Sequence, residues 1–276
     1  IRSIHDFAGT PRDLEERIER LDHAPGDISK YAVRTEGSAD LLTLYGAAEA
    51  ARERSPARDR ILLGMGEFGT VSRLLPGAFG SLWSYASPAG ERRGAPGQLT
   101  PQELVERFAF REAASGAPLF AVLGNPVLHS GSPAYHNRRF RESGTAGAYI
   151  AFPADDLSPT MELFDLLGMQ GVSVTIPHKE GVLHYLAEAE EAVSGLGAAN
   201  TLTRRPDGGW HGSNSDVTGF LKPLFEELSS LAGITALVIG AGGAARAVVF
   251  ALLEEGARVT VANRTVRRGE ELLASL

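Results

Sequence analysis

Three lysines, Lys30, Lys179 and Lys222, stand against 24 arginines in a chain of 276 residues. Codon composition accounts for arginine wherever only a positive charge is wanted, so each remaining lysine poses a question. Lysine can hand on its proton and can form an imine with a ketone; arginine does neither. Lys30 lies in Asp27-Ile28-Ser29-Lys30-Tyr31-Ala32-Val33, an otherwise apolar strand-like run. A cation there is costly unless paired or functional. His5 stands in Ser3-Ile4-His5-Asp6-Phe7, at the end of another such run. Read alone, it is better explained as a satisfied polar residue at a strand end.

Lys179 closes Gly171-Val172-Ser173-Val174-Thr175-Ile176-Pro177-His178-Lys179, and Asn200 and Asp216 close Gly197-Ala198-Ala199-Asn200 and Gly212-Ser213-Asn214-Ser215-Asp216. Lys, Asp, Asn and Thr at the ends of consecutive elements suit a polyhydroxylated acid, although each alone is ordinary turn chemistry. Hydride addition to a ketone leaves an alkoxide that needs a proton. An ammonium oriented by a carboxylate supplies one. In Gly124-Asn125-Pro126-Val127-Leu128-His129-Ser130-Gly131-Ser132-Pro133, two serines precede a helix. Hydroxyls and free amides there form a small anion site, and plain N-capping by Ser132 explains the same residues.

Near the C-terminal end, Thr235–Ile239 is a compact apolar run followed by Gly240-Ala241-Gly242-Gly243-Ala244-Ala245. The pattern G-x-G-x-x-(G/A) is weak by itself, but a strand precedes it, an apolar helix follows, and a second strand comes at Arg258–Ala262. That context predicts a pyrophosphate on the helix N-terminus. The second strand ends in Asn263-Arg264-Thr265, with Arg267 and Arg268 following. No carboxylate would repel a 2′-phosphate and arginines are at hand, which favours NADP over NAD. A solvated helix start is the competing explanation for the arginines.

The elements that must carry these residues read as α/β throughout. Strands are expected at Arg2–His5, Ile28–Val33, Ile61–Gly64 and Leu82–Tyr85. Helices are expected from Thr10 (N-cap, with Pro11 next), over Ser38–Arg54, and from Thr100-Pro101-Gln102-Glu103, a full capping box. Four β–α units make half of a closed (β/α)8 barrel, which takes about 250 residues. The middle region predicts strands at Leu119–Gly124, Ala148–Phe152 and Gly171–Ile176, then a hairpin over Asn200–Gly212 and a helix over Val217–Leu228. Ser115-Gly116-Ala117-Pro118 is the one hinge-like stretch. The expected domains are 1–115, 116–218 and 219–276.

Composition excludes several classes. With 43% hydrophobic and 22% charged residues the chain is globular. Cysteine is absent, so disulfides and thiolate chemistry are excluded. A net charge of −7 argues against a general nucleic-acid partner. No apolar run of about 18 residues argues for a membrane span.

Residues 119–276 resemble shikimate dehydrogenase in the serine motif, V-T-I-P-H-K, G-A-A-N-T, N-S-D, the glycine loop and N-R-T. The resemblance implies that Ser130 and Ser132 hold a shikimate carboxylate and that Thr175, Asn200 and Asp216 bond its hydroxyls. It makes Lys179 and Asp216 the catalytic pair. It assigns Gly240, Gly242, Gly243, Ala244, Ala245, Asn263, Arg264 and Thr265 to NADP. Ser215 replaces the family's usual threonine and Ser173 an asparagine.

The first 115 residues resemble the second half of type I 3-dehydroquinate dehydratase. The words are Ser3–Phe7, the Lys30 strand, Gly64-Met65-Gly66-Glu67-Phe68-Gly69, Val71-Ser72-Arg73 and Ala95-Pro96-Gly97-Gln98. The resemblance implies that Lys30 forms a Schiff base and His5 shuttles protons. Arg73 clamps a carboxylate, and Gln98 sits on a loop closing over the site. Gly94 stands where the family often has Ser or Thr.

The fold expected is thus the C-terminal half of a (β/α)8 barrel, an α/β shikimate-binding domain and the start of a Rossmann NADP-binding domain, a fragment truncated at both ends. The two resemblances imply consecutive reactions on small molecules: 3-dehydroquinate to 3-dehydroshikimate, then to shikimate. No nucleic-acid or membrane partner is expected, and the setting is cytoplasmic or, for a plastid parent, plastidic. The alternatives are a quinate/shikimate dehydrogenase using NAD and a non-catalytic quinate-sensing regulator. Lys222 is read as a solvated charge.

Overall fold

Three parallel strands, β1 (Arg2–Asp6), β2 (Ile28–Arg34) and β3 (Asp59–Met65), lie in the order β1-β2-β3. This computed structural model describes residues 1–90 and 94–276. Ser3 pairs with Lys30 and His5 with Ala32, while Lys30 and Ala32 pair with Ile61 and Leu63. Side chains alternate along a strand, so these residues share one face. Ala32, Ile61, Leu63 and Met65 form an apolar cluster there, with His5 and Lys30 set into the same face. The opposite face carries Tyr31, Val33 and Leu62, all fully buried. α1 (Leu14–Asp22) packs with β2, and α2 (Ser38–Arg54) with β3. α2 buries Leu41, Leu44, Ala47, Ala48 and Ala51, whose spacing of three and four defines one helical face.

Three local expectations need correction. Thr10 does not cap α1: its hydroxyl donates to the Arg34 carbonyl (3.1 Å), and the helix starts at Leu14. Leu82–Tyr85 is not a strand. Ser81 Oγ both donates to the Leu62 carbonyl and accepts from its amide, at 2.7 Å each. Beside it the Leu82 amide donates to the Arg60 carbonyl of β3 (2.9 Å), but no ladder follows, and Ala86 forms an isolated bridge with Leu99. The Thr100–Glu103 capping box forms as expected, with reciprocal bonds of 2.8 and 3.1 Å. The helix after it is not regular, however. A wide π-type turn over Glu103–Arg107 ends at Ala109, which has a left-handed φ of 51°.

α3 (Thr70–Leu74) follows β3, and α4 (Phe110–Ala114) follows Ala109. β4 (Leu119–Gly124) and β5 (Ala148–Pro153) pair in parallel around α5 (Ser132–Ser143). α6 (Leu157–Leu166) leads to β6 (Met169–Val174). Contacts divide the chain into two compact units, Ile1–Val172 and Ser173–Leu276. The Ser115–Pro118 stretch therefore lies inside the first unit. Asp155, after β5, accepts from the Ser38 amide at the start of α2 (2.8 Å), and Ser38 Oγ accepts from the Asp155 amide (3.3 Å). Burial raises the Asp155 pKa, but the Ser38 bonds together with the amides of Asp155 and Asp156 hold the carboxylate below its usual range.

In the second unit β7 (Leu186–Ala189) pairs in parallel with β9 (Trp210–Ser213), and β8 (Thr201–Arg204) forms the expected hairpin with β9. α7 (Glu191–Leu196) connects β7 to this hairpin, and α8 (Ser215–Glu227) leaves it. β10 (Thr235–Ile239), α9 (Gly243–Glu254) and β11 (Arg258–Ala262) form the expected parallel β–α–β unit, followed by α10 (Val266–Ala274). Leu231, Leu252 and Ala257 centre its core. Among the described residues no helix is long and apolar enough to cross a membrane.

Candidate active sites

In the first unit, His5, Lys30, Arg73 and Gln98 line one cavity of about 390 Å³. Phe7, Met65, Tyr85 and Pro96 complete much of its wall. That volume suits a small cyclic acid. Lys30 Nζ lies 4.5 Å from the centroid of the Tyr85 ring, a cation–π contact that fixes the ammonium over an aromatic face. Sequence reading placed Tyr85 in a strand and missed this role, because the chain's inward turn after Ser81 leaves no periodic signal. Burial first, and then the Lys30 cation, hold the His5 imidazole below its usual pKa. Behind the strands, Tyr31 donates to Asp6 Oδ2 (2.5 Å), and Arg17 donates to the same oxygen (3.0 Å). These bonds tie the His5 end of β1 to the Lys30 strand. Burial and then the Asp6 bond push the Tyr31 hydroxyl up to about 12.

Arg73, on α3, is 2% exposed. Burial pushes its guanidinium down to about 10, and its Nε has no hydrogen-bond partner among the described residues. A buried cation with an unpaired donor beside a cavity is suited to an anion. Gln98 is brought in by a constrained loop. Gly66 N donates to the Pro96 carbonyl (3.3 Å), and a Cβ on Gly97 (φ 75°) would lie 2.3 Å from Gly66 O. Only glycine fits there. A Cβ at Gly94 would lie 3.0 Å from Gln98 Oε1, so the glycine found there leaves room for this amide.

The serine loop also lies in the first unit. Ser130 Oγ donates to Ser132 Oγ (3.1 Å) and accepts from the Ser132 amide (3.2 Å). Gly131, not Ser132, occupies the cap position of α5, and no side chain caps it. The first-turn amide is met by Ser130 because Ser132 is already inside the helix.

The second unit gathers Lys179, Asn200 and Asp216. Lys179 Nζ is 2.6 Å from Asp216 Oδ2, and Asn200 Nδ2 donates to Asp216 Oδ1 at 2.9 Å. Asn200 Oδ1 in turn accepts from the Ser215 amide (3.0 Å) and from Thr201 Oγ1 (2.8 Å). Asn214 caps α8 by accepting from the Asp216 amide (3.1 Å) and anchors itself on the Ala198 carbonyl (2.9 Å). Thr201 and Ser215 thus hold Asn200, Asn200 holds the carboxylate, and the carboxylate holds the lysine. Thr175 lies one turn away, its carbonyl accepting from the His178 amide (3.0 Å). Lys222 is exposed, as expected.

Gly240, Gly242, Gly243, Ala244 and Ala245 form the turn into α9. Gly240 has φ 119°, and a Cβ on Gly240, Gly242 or Gly243 would meet nothing within 4 Å. The helix start carries no side-chain cap. An adjoining cavity of about 240 Å³ is lined by Glu180, Gly242, Gly243, Arg246 and Arg268. Open space over uncapped amides fits a pyrophosphate. At the end of β11, Asn263 Nδ2 donates to the Thr265 carbonyl (2.7 Å), which shapes the turn that presents exposed Arg264. Arg267 is engaged by Glu271 (2.7 Å), so the solvated reading holds for that arginine.

Comparison with known proteins places the chain beside two enzyme families. Residues 1–115 match the type I 3-dehydroquinase family model. Residues 122–202 match the shikimate dehydrogenase substrate binding domain, and residues 224–276 match shikimate/quinate 5-dehydrogenase. The chain is therefore an α/β protein that joins type I 3-dehydroquinase sequence to shikimate dehydrogenase sequence. Along its whole length it is similar to proteins that bear both names. The bifunctional 3-dehydroquinate dehydratase/shikimate dehydrogenase, chloroplastic, of Arabidopsis thaliana is 32% identical over 100% of this chain and 48% of its own length.

The NADP(+) shikimate dehydrogenase of Syntrophobacter fumaroxidans is 44% identical over 57% of this chain and 54% of its own. The chain spans about half the length of these curated relatives. Among solved structures, the shikimate dehydrogenase of Aquifex aeolicus is 36% identical with a TM-score of 0.55, over 59% of this chain and 61% of that one. The dehydroquinate dehydratase and shikimate dehydrogenase of S. pombe AroM is 28% identical with a TM-score of 0.50, over 99% of this chain and 53% of that one.

Proposed function

We propose that the chain serves two consecutive reactions: dehydration of 3-dehydroquinate through an imine on Lys30, and NADPH-dependent reduction of 3-dehydroshikimate to shikimate through Lys179 and Asp216. The observation that carries this reading is that two of three lysines sit in separate, built polar sites.

In the first reaction Lys30 gives up a proton to solvent, the free amine Nζ then attacks the substrate ketone, and water leaves as the imine forms. The imine draws electron density from the adjacent carbon, so a proton there becomes removable. His5, held neutral by its lowered pKa, takes that proton and returns one to the departing hydroxyl. Arg73 binds the carboxylate, and Gln98 closes the cavity. Hydrolysis of the imine frees the lysine.

For the second reaction the family resemblance assigns the substrate carboxylate to Ser130 and Ser132, and its hydroxyls to Thr175, Asn200 and Asp216. When bound, NADPH supplies a hydride. Lys179 gives the ketone oxygen its proton, and Asp216 keeps the ammonium aimed. The amides of Gly242, Gly243, Ala244 and Ala245 would hold the pyrophosphate beyond the Gly240 turn. Arg264, with Asn263 and Thr265, would hold the 2′-phosphate. Quinate is a second candidate substrate, because the matching family model names both acids. The cytoplasm, or a plastid as in the Arabidopsis relative, is the proposed setting.

The test is a two-substrate assay on the full chain. With 3-dehydroquinate and NADPH, shikimate should form. Lys30→Arg should stop this but spare reduction of added 3-dehydroshikimate. Lys179→Ala should do the reverse and let 3-dehydroshikimate accumulate. Loss of both activities in either variant, or of neither, contradicts the assignment.

A further inference from the structure

Arg107 belongs to the dehydroquinase segment by sequence, yet its side chain ends on the serine loop. Its Nη2 donates to the Ser130 carbonyl at 2.9 Å and also to the Leu128 carbonyl. The residue is held at three points. Its guanidinium lies 4.7 Å from the Phe108 ring centroid, and its own carbonyl accepts from Asn137 Nδ2 (2.8 Å). Asn137 is 1% exposed and also bridges both backbone groups of Tyr149 on β5, at 2.7 and 2.8 Å. The π-type turn over Glu103–Arg107 and the left-handed Ala109 are the irregularities at this junction. A regular helix would have placed residue 107 differently around the axis. Ala109 costs backbone strain that a glycine would not, and it is buried at 1% exposure.

We propose that Arg107 is a positioning residue for the carboxylate-binding loop. Supplied by the first family segment, it fixes the backbone of Ser130 and so the two serine hydroxyls of the second. The loop between β4 and α5 is irregular, and its carbonyls at 128 and 130 need donors. One guanidinium answers both and brings a positive charge to the backbone of the loop that carries the hydroxyls. An incoming carboxylate gains from both effects, because the hydroxyls are preorganised and the local field is favourable. The dehydroquinase segment thus takes part in substrate recognition by the dehydrogenase segment. This inference rests on the reading of Ser130 and Ser132 as the carboxylate site.

The experiment titrates shikimate and its uncharged methyl ester into the full chain and into Arg107→Ala, Arg107→Met and Ser130→Ala. Arg107→Met keeps an apolar stem on Phe108 and guards against loss of folding. The wild type should prefer the acid. Both Arg107 variants should weaken shikimate about tenfold, the equivalent of one charge-assisted bond, while the ester changes little. A purely structural role would weaken acid and ester alike, and that result overturns the inference. So does an unchanged preference in both Arg107 variants when Ser130→Ala lowers it. If Ser130→Ala also leaves the preference unchanged, the carboxylate reading itself fails, and the inference with it.

Discussion

Lys179 Nζ and Asp216 Oδ2 stand 2.6 Å apart, with Asn200 holding the other carboxylate oxygen. The three side chains form a relay of orientation: Asn200 sets Asp216, and Asp216 sets Lys179. Asp216→Asn preserves the shape but removes the charge that aims the ammonium. We expect kcat for NADPH-dependent reduction to fall by about a hundredfold, within the usual range for general acid catalysis. Asn200→Ala should raise KM more than it lowers kcat. Steady-state kinetics with 3-dehydroshikimate decide this, and an unchanged kcat in Asp216→Asn contradicts the role.

Arg73 sets stability against function. It is a buried cation with no ion pair to a described residue, and Nε is unpaired. Replacing such a group with an apolar one of similar length removes a desolvation cost. Arg73→Met should therefore raise stability, by about 1 kcal/mol on the scale common for such substitutions. It should also abolish saturation by 3-dehydroquinate. Urea unfolding and steady-state kinetics check the two halves. A destabilised variant would mean the guanidinium is structurally engaged.

His5 gives a pH prediction. Its pKa lies below 6.5, through burial and then the Lys30 charge. The folded chain binds fewer protons at His5 than the unfolded chain does. Stability from this group is thus complete above 6.5 and declines as pH falls from there through the lowered value. The neutral base also remains available on the acid side of 6.5. An NMR titration of the His5 ring should give a midpoint below 6.5, and Lys30→Met should move it part of the way back up. A midpoint unmoved by Lys30→Met would separate the two residues electrostatically.

Away from the sites, Arg60 and Asp22 form a buried ion pair at 2.7 Å, with side chains 5% and 7% exposed. Asp22→Ala leaves the arginine charge uncompensated and should cost about 3–5 kcal/mol in urea unfolding. Replacing both by apolar residues, Asp22→Leu with Arg60→Met, should recover most of that loss. A double variant as unstable as the single one would contradict the desolvation argument.

Much of this was readable in the sequence. Regular elements announce themselves through period and caps, and α2, β4 and β11 fall where apolar spacing puts them. The lysines were legible because arginine had displaced lysine elsewhere. What escaped was set by tertiary contact. Ser81 satisfies both backbone groups of Leu62 with one hydroxyl, and the strand-like run after it keeps a single backbone bond to β3, from the Leu82 amide to the Arg60 carbonyl (2.9 Å). Tyr85 reaches Lys30 by a path with no periodicity. Arg107 resembles any exposed helix arginine until the π-type turn redirects it.

The most direct test of the central claim uses the scarcity of lysine itself. The full chain is incubated with 3-dehydroshikimate or 3-dehydroquinate, reduced with borohydride, digested and mapped by mass spectrometry. Among only three lysines, the expected result is one substrate-sized adduct, on the peptide containing Lys30, and no adduct in Lys30→Arg. An adduct on Lys179 or Lys222, or one that survives Lys30→Arg, would contradict the account.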